Sequence, residues 1–307
     1  MKAGRRARQI GATALQIFSD NPTAWRRRDE PPARAADFIE YAAQHGISPV
    51  AIHASYLINL AGSAEPFASQ SRAGLAHELR TAPAFGATLV NTHIGSHRGG
   101  GRDTGLRRIV DNVAAVLGEA PEGVTLVLEN SSGGGDNLGS RIEDLAAILD
   151  GVPAALTGRL AFCLDTAHLW GAGYEIGSSD GAQAVIDEFA ASIGLDRLAL
   201  VHLNDSRSEL GSRSDRHEHV GAGRIGPAGL GSFIRDPRLR HVTFVLETPG
   251  VDEGYDAVNL RRALMLYAGA ETLPQLPPKA FSLTRRSTRV GSKREPARDQ
   301  EVRAPTV

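Results

Sequence analysis

The stretch LAFCLDTAHLWGAGY, residues 160–174, sets an unbroken apolar run of strand length against a carboxylate, Asp165, with a histidine, His168, three residues on. Continuous apolar runs of this kind suit strands covered on both faces. Six more runs share the design: TALQIF from Thr13, PVAIH from Pro49, TLVNTH from Thr88, VTLVLEN from Val124, LALVHLND from Leu198 and VTFVLET from Val242. Amphipathic segments lie between them, at 33–45, 71–85, 106–117, 141–149, 182–193 and 256–266. A chain that alternates strand and helix folds into a parallel sheet with right-handed crossovers. The later strand ends recur about every 36 to 45 residues, which suits a TIM (β/α)8 barrel with enlarged loops better than a compact doubly wound sheet. Seven strands are visible, one short of closure.

The side chains at the strand ends carry the chemistry. His53, His93, Glu129, Asp165, His202 and Glu247 close six successive runs, and in a parallel barrel all strand C-termini open on one face. One histidine at a strand end is ordinary; six donors meeting at one mouth are not. Carboxylates gathered in one cavity repel one another unless cations neutralise them. His168 follows Asp165, and the loop after His202 adds Asp215 and His217, an Asp-x-His step that turns both side chains to one side of an extended segment. Nitrogen and oxygen donors without thiolates suit Zn²⁺ or Mn²⁺ in a catalytic rather than a closed structural site. Nine donors exceed the needs of one ion and suffice for three.

Composition narrows the setting. With 307 residues, 41% hydrophobic and a net charge of -1, the bulk of the chain has the apolar content of a folded domain. A single cysteine, Cys163, closes no internal disulfide and points to a reducing compartment, the cytoplasm. No window reaches the length of a membrane-spanning helix, and the basic opening MKAGRRARQ leads into no signal-peptide pattern. Residues 273–307 carry eight Lys and Arg against three acids. This stretch, rich in Pro, Ser and Arg, reads as a flexible, disordered basic tail behind a barrel domain at 1–272.

The blocks HASYLINLA at His53, NTHIGSH at Asn91, LENSSGGGDNLGS at Leu128, CLDTAHLWGAGYE at Cys163, HLNDSRSELGSRSDRHEHVGAGRIG at His202 and LETPG at Leu246 resemble, in order and spacing, the endonuclease IV family of apurinic/apyrimidinic (AP) endonucleases. The resemblance spans roughly residues 12 to 270. It implies a barrel of the xylose-isomerase type with three Zn²⁺, some positions open to Mn²⁺. His53, His93 and Glu129 would hold one ion, with Glu129 bridging to a second held by Asp165, His202 and Glu247. His168, Asp215 and His217 would hold the third. Glu129 and Glu247 are thereby the residues on which catalysis rests. The implied substrate is double-stranded DNA containing abasic sites, cut on the 5′ side of the base-less sugar to leave a 3′-hydroxyl, with trimming of blocked 3′ ends as a second activity. Tyr56 and Leu57 match the family's wedge into the base stack, and a monomer is implied; Arg216, between Asp215 and His217, is a candidate for contact with phosphate or for a structural ion pair.

The sequence departs from that pattern in two places. The family opens with a strand of the form IGAHxSxxGG, whereas this chain starts inside the following helix, so a barrel lacking its first strand, with two exposed edges, is expected. Thr23 stands where many relatives carry an arginine that enters the DNA stack, which predicts a weaker grip on the lesion. Gly133 to Gly135 and Gly221 to Gly226 are further candidates for close approach to phosphates. His97 and His219 lie near the donors in supporting or surface roles, while His45, His77, His241, Trp25 and Trp170 read as packing or connecting residues. The competing reading is a sugar isomerase or epimerase of the same superfamily, expected to lack the third donor cluster and the wedge; a catalytically impaired DNA-binding homologue is the other.

Overall fold

Strand and helix alternate along the chain in a computed structural model that describes residues 1–287. In order the elements are α1 (Lys2–Ile10), β1 (Leu15–Ile17), α2 (Ala35–Gln44), β2 (Val50–His53), α3 (Phe67–Thr81), β3 (Ala87–His93), α4 (Arg102–Glu119), β4 (Thr125–Glu129), α5 (Ile142–Gly151), α6 (Ala154–Thr157), β5 (Leu160–Asp165) and α7 (Thr166–Ala172). There follow α8 (Ser179–Ser192), β6 (Leu198–His202), β7 (Asp205–Ser206), β8 (His217–Glu218), α9 (Gly226–Arg235), β9 (Thr243–Val245), α10 (Tyr255–Tyr267) and α11 (Pro278–Ser287). Seven strands form one sheet in the order β1-β2-β3-β4-β5-β6-β9, and every pairing in it is parallel. This is the TIM-barrel arrangement. β7 and β8 form a separate antiparallel ladder over the mouth.

Side chains alternate across each strand, which divides the apolar residues into two layers. Leu75, Leu79, Leu126, Leu128, Phe162, Leu164, Phe189 and Phe233 pack between sheet and helices. The opposite parity fills the interior with Ala51, Val127, Ala161, Cys163 and Leu200, flanked by Leu89 and Val245. Two residues beyond Ala51, Val127, Cys163 and Leu200 on the same inner face come His53, Glu129, Asp165 and His202. The small apolar plug is therefore the floor of the polar site. Register aligns the strand ends, with His93 opposite Glu129 and Asp165 opposite His202.

Among the described residues the barrel is one strand short, as the sequence predicted. Among the described residues β1 pairs only with β2 and β9 only with β6. Between these two edges lies a groove of about 320 Å³ lined by Ala7, Ile10, Leu15, Gln16, Phe244 and Val245. α1 covers part of it, and Arg6 Nε donates to Asp256 Oδ2 at 2.7 Å across the seam.

The first part of the segment expected as a tail includes a helix. Residues 278–287 form α11, where Ala280 is fully buried and its carbonyl accepts from His219 Nε2 at 3.3 Å. Arg262 Nη1 donates to the Pro274 carbonyl at 2.6 Å. The apolar Ala280 and the Arg262 anchor dock a segment whose overall composition reads as solvated. Most of the basic residues of the tail fall within 288–307, outside the described residues. No helix among the described residues is long and apolar enough to cross a membrane.

Candidate metal centre

All nine donors singled out in the sequence meet at the C-terminal mouth. Donor atoms lie within 4.8 Å of one another in each of three overlapping groups: His53, His93 and Glu129; Glu129, Asp165, His202 and Glu247; and Asp165, His168 and His217. Asp215 stands beside the last group, its carboxylate 3.4 Å from His168 Nε2 and 3.1 Å from His217 Nε2. Two carboxylates thus serve two groups each. Glu129 is common to the first and second groups, and Asp165 to the second and third. Cys163 also falls within reach of Glu129 and His202, so the donor environment is not free of sulfur. The thiol is wholly buried, and burial pushes it up to about 12, which keeps it protonated.

One nitrogen of several rings is tethered so that the other faces the carboxylates. His53 Nδ1 donates to the backbone carbonyl of Ala54 at 2.8 Å, His168 Nδ1 to the backbone carbonyl of Asn130 at 3.0 Å and His217 Nδ1 to the backbone carbonyl of Glu247 at 2.9 Å. The carboxylates are held likewise, Glu129 Oε2 by Asn91 Nδ2 at 2.6 Å and Asp165 Oδ2 by Asn204 Nδ2 at 2.7 Å. Supports of this kind orient metal ligands and sharpen their basicity. Sequence reasoning missed Asn91, Asn130 and Asn204, although Asn91 and Asn204 stand two residues from a histidine donor, on its side of the chain.

The centre demands positive charge. Burial favours a neutral Glu129, yet His93 and His202 outweigh it and hold the carboxyl well below the usual glutamate range. Burial likewise opposes ionisation of Glu247, but His202 brings it down to about 2. Burial would also keep His217 neutral, whereas Asp165 and Asp215 together raise it to about 9. Glu129 Oε1, His202 Nδ1 and His217 Nε2 are buried without a hydrogen-bond partner among the described residues. Orphaned polar atoms of this sort are costly, and here they converge on one space. Cations fit the donor set.

Around the mouth, Tyr56 is 55% exposed and lies edge-on to Phe18, ring centroids 5.3 Å apart. Tyr56, Leu57, His93, Ser131, His168 and Asp215 line a pocket of about 280 Å³. Phe18, itself 39% exposed, ends the apolar run TALQIF, where nothing in the sequence separates it from a core residue. Arg216 is exposed and makes no ion pair among the described residues. Thr23 is exposed and bonds to Asn21 Oδ1 through its hydroxyl at 2.9 Å. Trp25 packs toward Phe67, and Trp170 Nε1 donates to the Ser208 carbonyl. His97 lies beside Asp136 and His219 beside Asn259, both outside the donor groups.

The glycine segments serve the protein itself. Arg213 Nη2 donates to the Gly135 carbonyl at 2.9 Å, and a Cβ on Gly134 would stand 2.9 Å from the Arg213 carbonyl. The amides of Gly223 and Gly226 donate to the buried carboxylate of Asp205. Both segments fasten the loops that carry Asp215 and His217, and the amides of Gly223 and Gly226 are already engaged by Asp205.

The fold that carries this centre is also the one the matching family model describes: residues 5–267 match the xylose isomerase-like TIM barrel. The chain is 38% identical over 270 residues to the probable endonuclease 4 of Methanoculleus marisnigri, covering 88% of this chain and 95% of that protein. It is 38% identical over 272 residues to the probable endonuclease 4 of Chloroflexus aurantiacus, with the same coverage. Endonuclease IV from Thermus thermophilus superposes with a TM-score of 0.77 at 37% identity, over 88% of this chain and 94% of that one. A D-tagatose 3-epimerase-like protein, at 17% identity and a TM-score of 0.61, shares the fold alone. The chain belongs to the endonuclease IV family, metal-dependent nucleases within the hydrolases.

Proposed function

We propose that this protein incises double-stranded DNA on the 5′ side of abasic sites, leaving a 3′-hydroxyl, and also trims blocked 3′ ends. It works as a monomer in the cytoplasm on three divalent cations, Zn²⁺ or in part Mn²⁺. The observation that carries the reading is the set of three donor groups chained through Glu129 and Asp165, with buried nitrogen and oxygen atoms left unpartnered at their centre. His53, His93 and Glu129 would hold one ion, Glu129, Asp165, His202 and Glu247 the second, and His168, Asp215 and His217 the third, with Asp165 within reach of it. Bound there, the ions would supply Lewis acidity toward phosphate oxygens and activation of water for hydrolysis.

The chain contributes position and charge. Glu129 and Glu247, both held ionised, set the negative field that keeps the cations at the mouth, and Asn91 and Asn204 hold Glu129 and Asp165 in line. Tyr56 and Leu57, at the rim beside His53, would enter the stack where a base is missing. Arg216, with its exposed guanidinium, would pair with a backbone phosphate. The short side chain of Thr23 leaves that wedge with one arm fewer.

Metal analysis of the purified protein beside an incision assay on a duplex with one abasic analogue tests the reading. Three equivalents of metal with a single cut 5′ to the lesion is the expected result. Aldose turnover without incision would replace it with the isomerase reading, and metal or DNA binding without turnover would mark an impaired homologue.

A further inference from the structure

Gln16 is the polar interruption of β1. Its neighbours Leu15 and Ile17 pack on the core between sheet and helices, so alternation turns Gln16 into the barrel. There Gln16 Nε2 donates to Glu247 Oε1 at 2.9 Å, and Gln16 Oε1 accepts from His202 Nε2 at 3.1 Å. An ionised carboxylate can only accept, so the amide nitrogen faces Glu247, the amide oxygen faces the imidazole, and the ring hydrogen lies on Nε2. A neutral His202 is thereby left with its lone pair on Nδ1. That atom is buried and unpartnered among the described residues, and it stands 3.2 Å from Glu247 Oε2, 3.5 Å from Glu129 Oε1 and 3.8 Å from Asp165 Oδ2.

We propose that Gln16 is a positioning residue for the middle cation: one amide selects the His202 tautomer and fixes the outer oxygen of Glu247, so that both present their remaining atom to the same ion. The proposal rests on the metal-centre reading above. His202 ends β6 and Glu247 follows β9, neighbours in the sheet, whereas Gln16 reaches them from β1 on the far side of the seam. Among the described residues the two donors therefore take their orientation from a strand that is paired with neither of theirs in the sheet. Both bonds vanish together if the amide is lost. The other two donor groups keep their own supports, the Ala54 and Asn130 carbonyls and the Asn91 amide.

The test is Zn²⁺ binding by the full chain, measured by competition with a chromophoric chelator, for the parental protein, Gln16→Leu and the unbranched Gln16→Met, with melting temperatures of the metal-free forms alongside. One equivalent is expected to weaken by about 10- to 100-fold, as for loss of other supporting bonds to metal ligands, with the remaining equivalents and the metal-free melting temperature unchanged. Parental affinity at every equivalent in both variants would overturn the inference while leaving the metal centre standing. Uniform weakening of all equivalents together with a lower metal-free melting temperature would assign Gln16 a merely structural role and overturn it as well. A parental chain that takes up no Zn²⁺ would overturn both this inference and the reading beneath it.

Discussion

Arg6 on α1 and Asp256 on α10, 250 residues apart, form a two-pronged ion pair over the seam that the sheet leaves open. The bond to Arg6 is the main reason the Asp256 carboxyl lies below its ordinary range. A depressed carboxyl contributes stability that is present above its unfolded value, about 3.9, and is lost as the pH falls through the lower folded value. Thermal melts of the parental protein should therefore lose a modest increment on the acid side that Arg6→Ala lacks at every pH. Identical acid profiles for the two proteins would show that the pair does not fasten the seam.

Phe189 is fully buried on α8 and meets Phe162 of β5 edge-on, ring centroids 6.2 Å apart. Truncation there empties space between sheet and helix that rigid neighbours cannot refill. Phe189→Ala should cost about 3–5 kcal/mol of unfolding free energy in denaturant titration. A loss below about 1 kcal/mol, the scale of a surface change, would contradict that packing.

Glu129 belongs to two donor groups at once. Glu129→Ala is expected to abolish incision and to lower metal content by more than one equivalent. A variant that cuts at the parental rate, or loses a single equivalent, would be incompatible with a shared carboxylate.

Tyr56 touches the mouth but belongs to none of the donor groups. Replacement by Ala should leave metal content intact and weaken binding of an abasic duplex by about 1–3 kcal/mol, the scale of an aromatic–base contact, with little change for undamaged DNA. Equal weakening on both duplexes would remove Tyr56 from lesion recognition.

The parity of the strands makes much of this legible in the amino-acid order itself. Ala51 and His53, Val127 and Glu129, Leu200 and His202 are i, i+2 pairs, so an apolar interior and a polar rim are written into the same short runs. The distances between elements are not written there. Asp165 serves two groups because the α7 turn swings His168 back toward it, its amide bonding Asp165 Oδ1 at 2.9 Å. Gln16 is visible only as a blemish in TALQIF; its purpose depends on Glu247, 231 residues away. Likewise, nothing local in PKAFS announces that Ala280 will be buried against His219. Composition describes a segment's average tendency, and a single well-placed apolar residue with a few anchors can override it.

Because the donors are spread from His53 to Glu247 yet gathered at one rim, cations there would act as a drawstring on a single end of the barrel. Stripping them should loosen that end first. Cleavage by a nonspecific protease would then begin in the loops at 131–139 and 207–216, while the opposite end, held by the apolar layers beneath its helices, stays shut.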